Sequence, residues 1–376
     1  MDRVADVLNE TINTAKNATK TPAVELNFES ALASSALFLM AIISIYIGSK
    51  RSVKALKSSL EEENTENLEI LSKEDAMKFP IYASIALLGI YLVFKLFAAK
   101  YINMLLAGYF FFLGASTTFV LIRPVITSIV PSCFPNLKYS LSMKSSSPES
   151  GQTSSECFHC DFERKDAFPL LISLAVGFAY LFTQHWVSNN IIGVAISITA
   201  IEYLHLDKVI NGCILLSGLF FYDIFWVFAT DVMVSVAKSF EAPIKVVFPR
   251  DILTGGFYSK ELSMLGLGDI VIPGIFLALL LRFDCRLNRN GSRTYFWTSF
   301  FAYIVGLLAT FAAMYIFKHA QPALLYLVPT CLGFPLTLAL IKGDLKAMMK
   351  YTDIPEEIAN KVRASREAKK NSVKAE

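Results

Sequence analysis

Charge is the scarcest thing in this chain. Only 18% of its 376 residues are Asp, Glu, Lys or Arg, and the formal net charge is +3. A basic field able to hold nucleic acid cannot be built from that, so no nucleic-acid partner is expected. Histidine is rarer still, with four copies and no His-Glu-x-x-His, which argues against an intramembrane metalloprotease. There is no Gly-x-Ser-x-Gly nucleophile elbow. No repeat of fixed period is visible. The first 28 residues are polar and lack an apolar segment ending in a small-residue cleavage site, so the first span is expected to act as a retained anchor. Of the six cysteines, Cys157 and Cys160 form half a zinc site in Cys157-Phe158-His159-Cys160. Without a second pair it reads as a reduced loop thiol pair, and no metal or other cofactor is expected.

Hydrophobic residues, by contrast, make up 54% of the chain, with 30 Phe. Nine stretches are long enough to cross a bilayer: 29–48, 80–98, 103–123, 168–186, 189–204, 209–230, 262–281, 295–317 and 321–341. The expected fold is an all-α integral membrane protein of nine transmembrane helices. A segment 1–28 precedes a nine-span domain at 29–350, and a charged tail follows at 351–376. The loop at 131–167 contains a Ser-rich linker, Lys144 to Gly151, whereas the apolar residues of the loop at 231–261 suggest a structured segment near the site.

Nine spans place the termini on opposite sides. With the tail in the cytosol, the cytosolic loops hold 24 Lys or Arg and the opposite loops 9. The positive-inside rule therefore puts the N-terminus in the lumen. The sequons at Asn9 and Asn17 then face the lumen as expected glycosylation sites, and the one at Asn290 faces the cytosol. None of the cysteines falls on a lumenal loop, so no disulfide framework is implied.

Against this apolar background two acids stand out: Asp223 in Phe220-Phe221-Tyr222-Asp223-Ile224, and Asp269 in Gly266-Leu267-Gly268-Asp269. An ionisable residue at bilayer depth costs about 2.5–3.5 kcal/mol on insertion scales and needs a functional reason. Counted from the span ends at 1.5 Å per residue, the two lie roughly 12 and 10 Å below the lumenal surface, on antiparallel neighbours. Facing carboxyl groups that share one proton can activate water and polarise a peptide carbonyl. Gly266 and Gly268 leave room for close approach of another backbone. Pro273 lacks the N–H that would bond the Asp269 carbonyl, so a distortion is expected there. Gln321-Pro322-Ala323-Leu324 opens a span that also carries Pro329 and Pro335, and an irregular, extended start is expected for it. Carboxylates in broken helices also bind cations or protons in transporters, but no inverted repeats favour that class. An inactive escort of membrane proteins is the other alternative, and intact aspartates argue against it.

Tyr222-Asp223, Gly266-Leu267-Gly268-Asp269 and Gln321-Pro322-Ala323-Leu324, each on its own span, resemble the GxGD intramembrane aspartyl proteases. The stretch from Phe221 to Asp284 is similar to the signal peptide peptidase branch, and the charge asymmetry favours that branch over presenilins, which have the opposite orientation. The resemblance implies catalysis by Asp223 and Asp269, with Tyr222, Gly266 and Gly268 in support and Pro322, Ala323 and Leu324 binding substrate. It implies remnant signal peptides and type II transmembrane segments as substrates, an endoplasmic reticulum membrane location, and homo-oligomers. A lysine retrieval signal at the third and fourth positions from the end is not met, because Val373 stands fourth.

In sealed microsomes, Asn9 and Asn17 should carry glycans, Asn290 none, and the tail should be open to protease added outside. Glycosylation at Asn290 would invert this orientation.

Overall fold

Long apolar segments in lipid satisfy their backbone by coiling. In the computed structural model, residues 28–61, 69–97, 99–129, 138–145, 155–228, 242–259, 261–287, 289, 291–317 and 321–353 are described. They form nine long helices: α1 (Phe28–Glu61), α2 (Lys73–Leu96), α3 (Ala99–Ile129), α4 (Ala167–Thr183), α5 (Trp186–Tyr203), α6 (Val209–Phe228), α7 (Gly268–Leu287), α8 (Thr294–Phe317) and α9 (Leu324–Lys342). A short α10 (Leu345–Lys350) follows. Among the described residues, seven of these helices are apolar and long enough to cross a membrane, namely α1 to α4, α6, α8 and α9.

The two exceptions are informative. Helix α7 carries Asp269, Arg282, Asp284 and Arg286, and every residue from Pro273 to Asp284 is buried. It packs against α1, α5, α6, α8 and α9. A helix that meets protein on all sides has no lipid-facing stripe to keep apolar. Small residues bring its neighbours close. A Cβ on Gly212 of α6 would stand 2.6 Å from Phe276, and one on Gly274 of α7 would stand 2.5 Å from Ile201 of α5. Peripheral α2, by contrast, turns Ile81, Tyr82 and Ile85 outward, as lipid requires.

The apolar stretch at 262–281 is not one span. Its first residues form strand β6 (Leu262–Gly266), antiparallel to β5 (Lys245–Pro249), with Val247 opposite Met264. Hydropathy alone cannot separate a buried strand from the start of a helix. Asp269 therefore lies in the first turn of α7, and the depth estimate that assumed a helix from Leu262 does not hold. Two further expectations change. Pro329 and Pro335 leave α9 a continuous helix. The loop at 131–167 holds a hairpin of β2 (Lys138–Ser145) and β3 (Ser155–Glu163). Two loops placed in the cytosol meet through β1 (Glu69–Leu71), which runs parallel to β4 (Leu204–Leu206).

A helical proline leaves a carbonyl without its donor, and at Pro124 and Pro273 a side chain from another helix supplies one. Pro124 strips the donor from Val120, whose carbonyl accepts from Arg51 Nη2 at 3.3 Å. Arg51 also donates to Leu121 O at 3.3 Å and, through Nε, to Glu202 Oε2 at 2.6 Å. Glu202, an acid inside an apolar stretch, is thus one end of a tie joining α1, α3 and α5.

A second polar knot closes the other end of α7. Arg282 donates through Nε to Asp353 Oδ2 at 2.7 Å and through Nη1 to Ser52 Oγ at 2.6 Å. Tyr351 donates to Asp353 Oδ1 at 2.9 Å, and the Asp353 N–H donates to Asp207 O at 2.8 Å. His205 lies 3.5 Å from Ser52 Oγ and is fully buried, not interfacial as its place at a span end suggests. Burial first, and then the Arg282 charge, push its imidazole down to about 3, so it is neutral. The knot pins residues 351–353 beneath the bundle.

Asp353→Ala should destabilise the protein by about 3–5 kcal/mol, because it leaves Arg282 charged, buried and without its carboxylate. Thermal unfolding in detergent reads this, and Arg282→Met combined with Asp353→Leu should recover most of the loss.

Candidate active site

Three chain segments converge at one end of α7. Helix α6 supplies Asp223, which is buried, and the first turn of α7 supplies Asp269, which keeps part of its surface open. The two carboxyl groups stand within electrostatic range of each other. The third segment is the start of α9. Its first N–H groups have no partner within the helix, and that of Leu324 donates to Asp223 Oδ2 at 3.0 Å. An anionic group at a helix N-terminus is also favoured by the helix dipole. Asp223 thereby ties α6 to α9 and commits one of its two oxygens.

Gly266 and Gly268 play different parts. A Cβ at Gly266 would sit 3.3 Å from Asp269 Oδ2, so the carboxyl leans against the bare backbone there. A Cβ at Gly268 would meet nothing within 4 Å among the described residues, and Gly268 is exposed.

Pro322 and Ala323 are buried beside the site, but the segment is a turn and not extended. Ala323 has φ −66° and ψ −37°. Leu325 N–H takes the Pro322 carbonyl at 3.3 Å, and Tyr326 and Leu327 take that of Ala323 at 3.2 and 3.1 Å. The segment reaches the acids through the Leu324 N–H alone. Tyr222 packs its ring toward Trp226, with centroids 6.3 Å apart, and Trp226 Nε1 donates to Ser84 Oγ at 3.1 Å on α2.

Sequence reasoning missed Tyr303. It is fully buried on α8, and its hydroxyl donates to the Asp269 carbonyl at 3.4 Å. Pro273 signals that this carbonyl lacks a helical donor, but not which side chain replaces it. The replacement lets α7 run unbroken through Pro273. Among the described residues no group of three or more His, Cys, Asp or Glu could hold a metal ion. Asn9, Asn17 and Asn290 lie outside the described residues.

A family model described as signal peptide peptidase matches residues 62–355. The chain belongs to the signal peptide peptidase family. Signal peptide peptidases of Mus musculus and Homo sapiens are 51% and 50% identical to it over 323 residues, which is 86% of this chain and 84% of each relative. Intramembrane protease 2 of Caenorhabditis elegans is 36% identical, covering 93% of this chain and 96% of that one. A solved presenilin-family intramembrane aspartate protease overlays 81% of this chain and 94% of its own at 14% identity, with a TM-score of 0.43. A signal peptide peptidase is a multi-pass membrane hydrolase that acts on membrane-embedded substrates within the bilayer, and the helices above are the scaffold for that work.

Tyr303→Phe removes one neutral hydrogen bond, a loss of about 0.5–1.5 kcal/mol in stability. If the same energy is lost from the transition state, kcat falls roughly two- to tenfold. Initial rates on a labelled transmembrane peptide, beside a melting curve, measure both. Unchanged values would leave Tyr303 as packing only.

Proposed function

We propose that Asp223 and Asp269 are the catalytic pair of an intramembrane aspartic endopeptidase. The observation that carries this reading is that two carboxyl groups, from α6 and from the first turn of α7, stand within electrostatic range of each other, next to Gly268, which is exposed among the described residues. In this reading one carboxylate takes a proton from water while the other, protonated, donates to the scissile carbonyl. Water adds to the carbonyl carbon to give a gem-diol. The amine leaves with a proton from the dyad, and the acids return to one shared proton. No covalent bond to the enzyme forms. Asp223 Oδ2 is engaged by Leu324, so Oδ1 is the oxygen free for water.

A helical peptide bond is shielded by its own hydrogen bonds, so the substrate must unwind before water reaches it. Strand β6 leads directly into Gly266-Leu267-Gly268-Asp269 and offers an edge on which an unwound segment can pair as a strand. That supports substrate recognition through backbone hydrogen bonds, with Pro322, Ala323 and Leu324 walling the site. The substrates we propose are remnant signal peptides and type II transmembrane segments, cleaved in the endoplasmic reticulum membrane with the N-terminus lumenal and the tail cytosolic.

Asp223→Asn and Asp269→Asn should each abolish cleavage of a labelled transmembrane peptide by purified, folded protein, because an amide nearly keeps the shape but cannot cycle a proton. Near-normal turnover by either single variant would end the dyad assignment.

A further inference from the structure

Among the described residues the β5–β6 sheet has two strands and therefore two edges, and one of them is closed by side chains. Asn190 of α5 donates through Nδ2 to Val247 O at 2.6 Å, and its Oδ1 accepts from Val247 N at 2.8 Å. An amide used this way copies the pair of bonds a neighbouring strand would make. Asn189 extends the copy by donating to Lys245 O at 2.8 Å, and it also bonds the Asn190 oxygen at 3.4 Å. Both asparagines are buried.

The bonds also fix which way each backbone group points. Residues of an antiparallel strand alternate between facing the partner strand and facing away. Val247 spends both backbone groups on Asn190, so it faces away from β6. Ile244 and Arg250, at the opposite parity, face β6: Leu267 N–H donates to Ile244 O at 2.9 Å, and Arg250 N–H to Glu261 O at 2.7 Å. Val247 pairs with Met264, so Met264 also turns its N–H and C=O outward, on the far edge of β6. That edge is the one nearer Asp269 along the chain.

We infer that Asn189 and Asn190 are positioning residues of the protease: their amides occupy the β5 edge, direct an unwound substrate strand to the β6 edge, and so set which peptide bond meets Asp269. The inference rests on the strand-pairing reading of β6 given above. A sheet held on one side by two rigid amides cannot slide against α5. Its register then carries through Leu265, Gly266 and Leu267 to the first turn of α7. Loosening the amides frees the hairpin to shift, and the substrate paired to it shifts as well.

The test uses the full chain in detergent and one labelled transmembrane peptide, with products mapped by mass spectrometry. Asn190→Leu removes both bonds to Val247. Asn190→Asp keeps the acceptor for Val247 N–H but sets a second oxygen against Val247 O. Asn190→Leu should raise KM roughly five- to tenfold, more than it lowers kcat, and spread cleavage to bonds one or two residues away, with Asn190→Asp intermediate. A melting curve checks folding. Should Asn190→Leu not fold, Asn190→Asp and Met264→Pro decide: the proline removes an outward N–H, leaves the β5 pairing intact and should raise KM in the same way. Cleavage at the single wild-type bond with unchanged KM in the folded variants would overturn the inference, as would a fall in kcat alone. Asp269→Asn is run beside them. If it cleaves, the dyad reading fails. If it is inactive and Met264→Pro raises KM while the asparagine variants behave as wild type, only this inference fails; if the proline variant also behaves as wild type, the strand-pairing reading of β6 fails with it.

Discussion

Helix α7 can carry charged and polar residues through its length because it is enclosed. Five helices wrap it, and its buried length from Pro273 to Asp284 meets protein alone. A charged or polar residue on a lipid-facing helix needs water or a partner, and both are costly to provide in hydrocarbon. Inside the bundle the partners are built in. One end of α7 has the Asp223–Leu324 contact and the Tyr303 hydroxyl; the other has Arg282, Asp353 and Ser52. The other helices are arranged to permit this enclosure, with glycines at Gly212 and Gly274 where backbones close in.

Two helical prolines, Pro124 and Pro273, free a carbonyl that another helix then uses. Val120 is met by Arg51, which also neutralises Glu202; Asp269 is met by Tyr303. Each repair connects helices far apart in sequence, so a local weakness becomes a tertiary tie. The result at the site is a pair of acids, Asp269 held by its main chain and Asp223 by its side chain. Catalytic carboxyl groups need this kind of restraint, since small misplacements are costly in rate.

A short antiparallel hairpin and the first turn of α7 sit side by side. The hairpin of β5 and β6 brings extended backbone to the first turn of α7, where helix hydrogen bonding has not yet begun. One edge is occupied by Asn189 and Asn190, so the sheet stays small and one-sided. An open edge is a hazard for aggregation in a soluble protein. Here, among the described residues, the unpaired edge of β6 leads into the turn that carries Asp269.

Much of this was legible in the sequence, because hydropathy and motif spacing are local properties. The apolar stretches, the acids Asp223 and Asp269 inside them and the flanking glycines can be read from the chain, whereas the Pro322-Ala323-Leu324 segment, expected to be extended, is a turn. Pro273 even announces an unpaired carbonyl. Hydropathy could not decide that residues 262–266 extend while 268–287 coil, since both conformations bury the same apolar side chains; pairing with β5 decides it. Nor could it name the groups that answer the freed carbonyls. Tyr303 stands 34 residues from Asp269, Leu324 stands 101 from Asp223, and Asn190 stands 57 from Val247. Hydrogen bonds act over about 3 Å, so these contacts exist only once packing has set the helices side by side, and no local pattern in the chain encodes them.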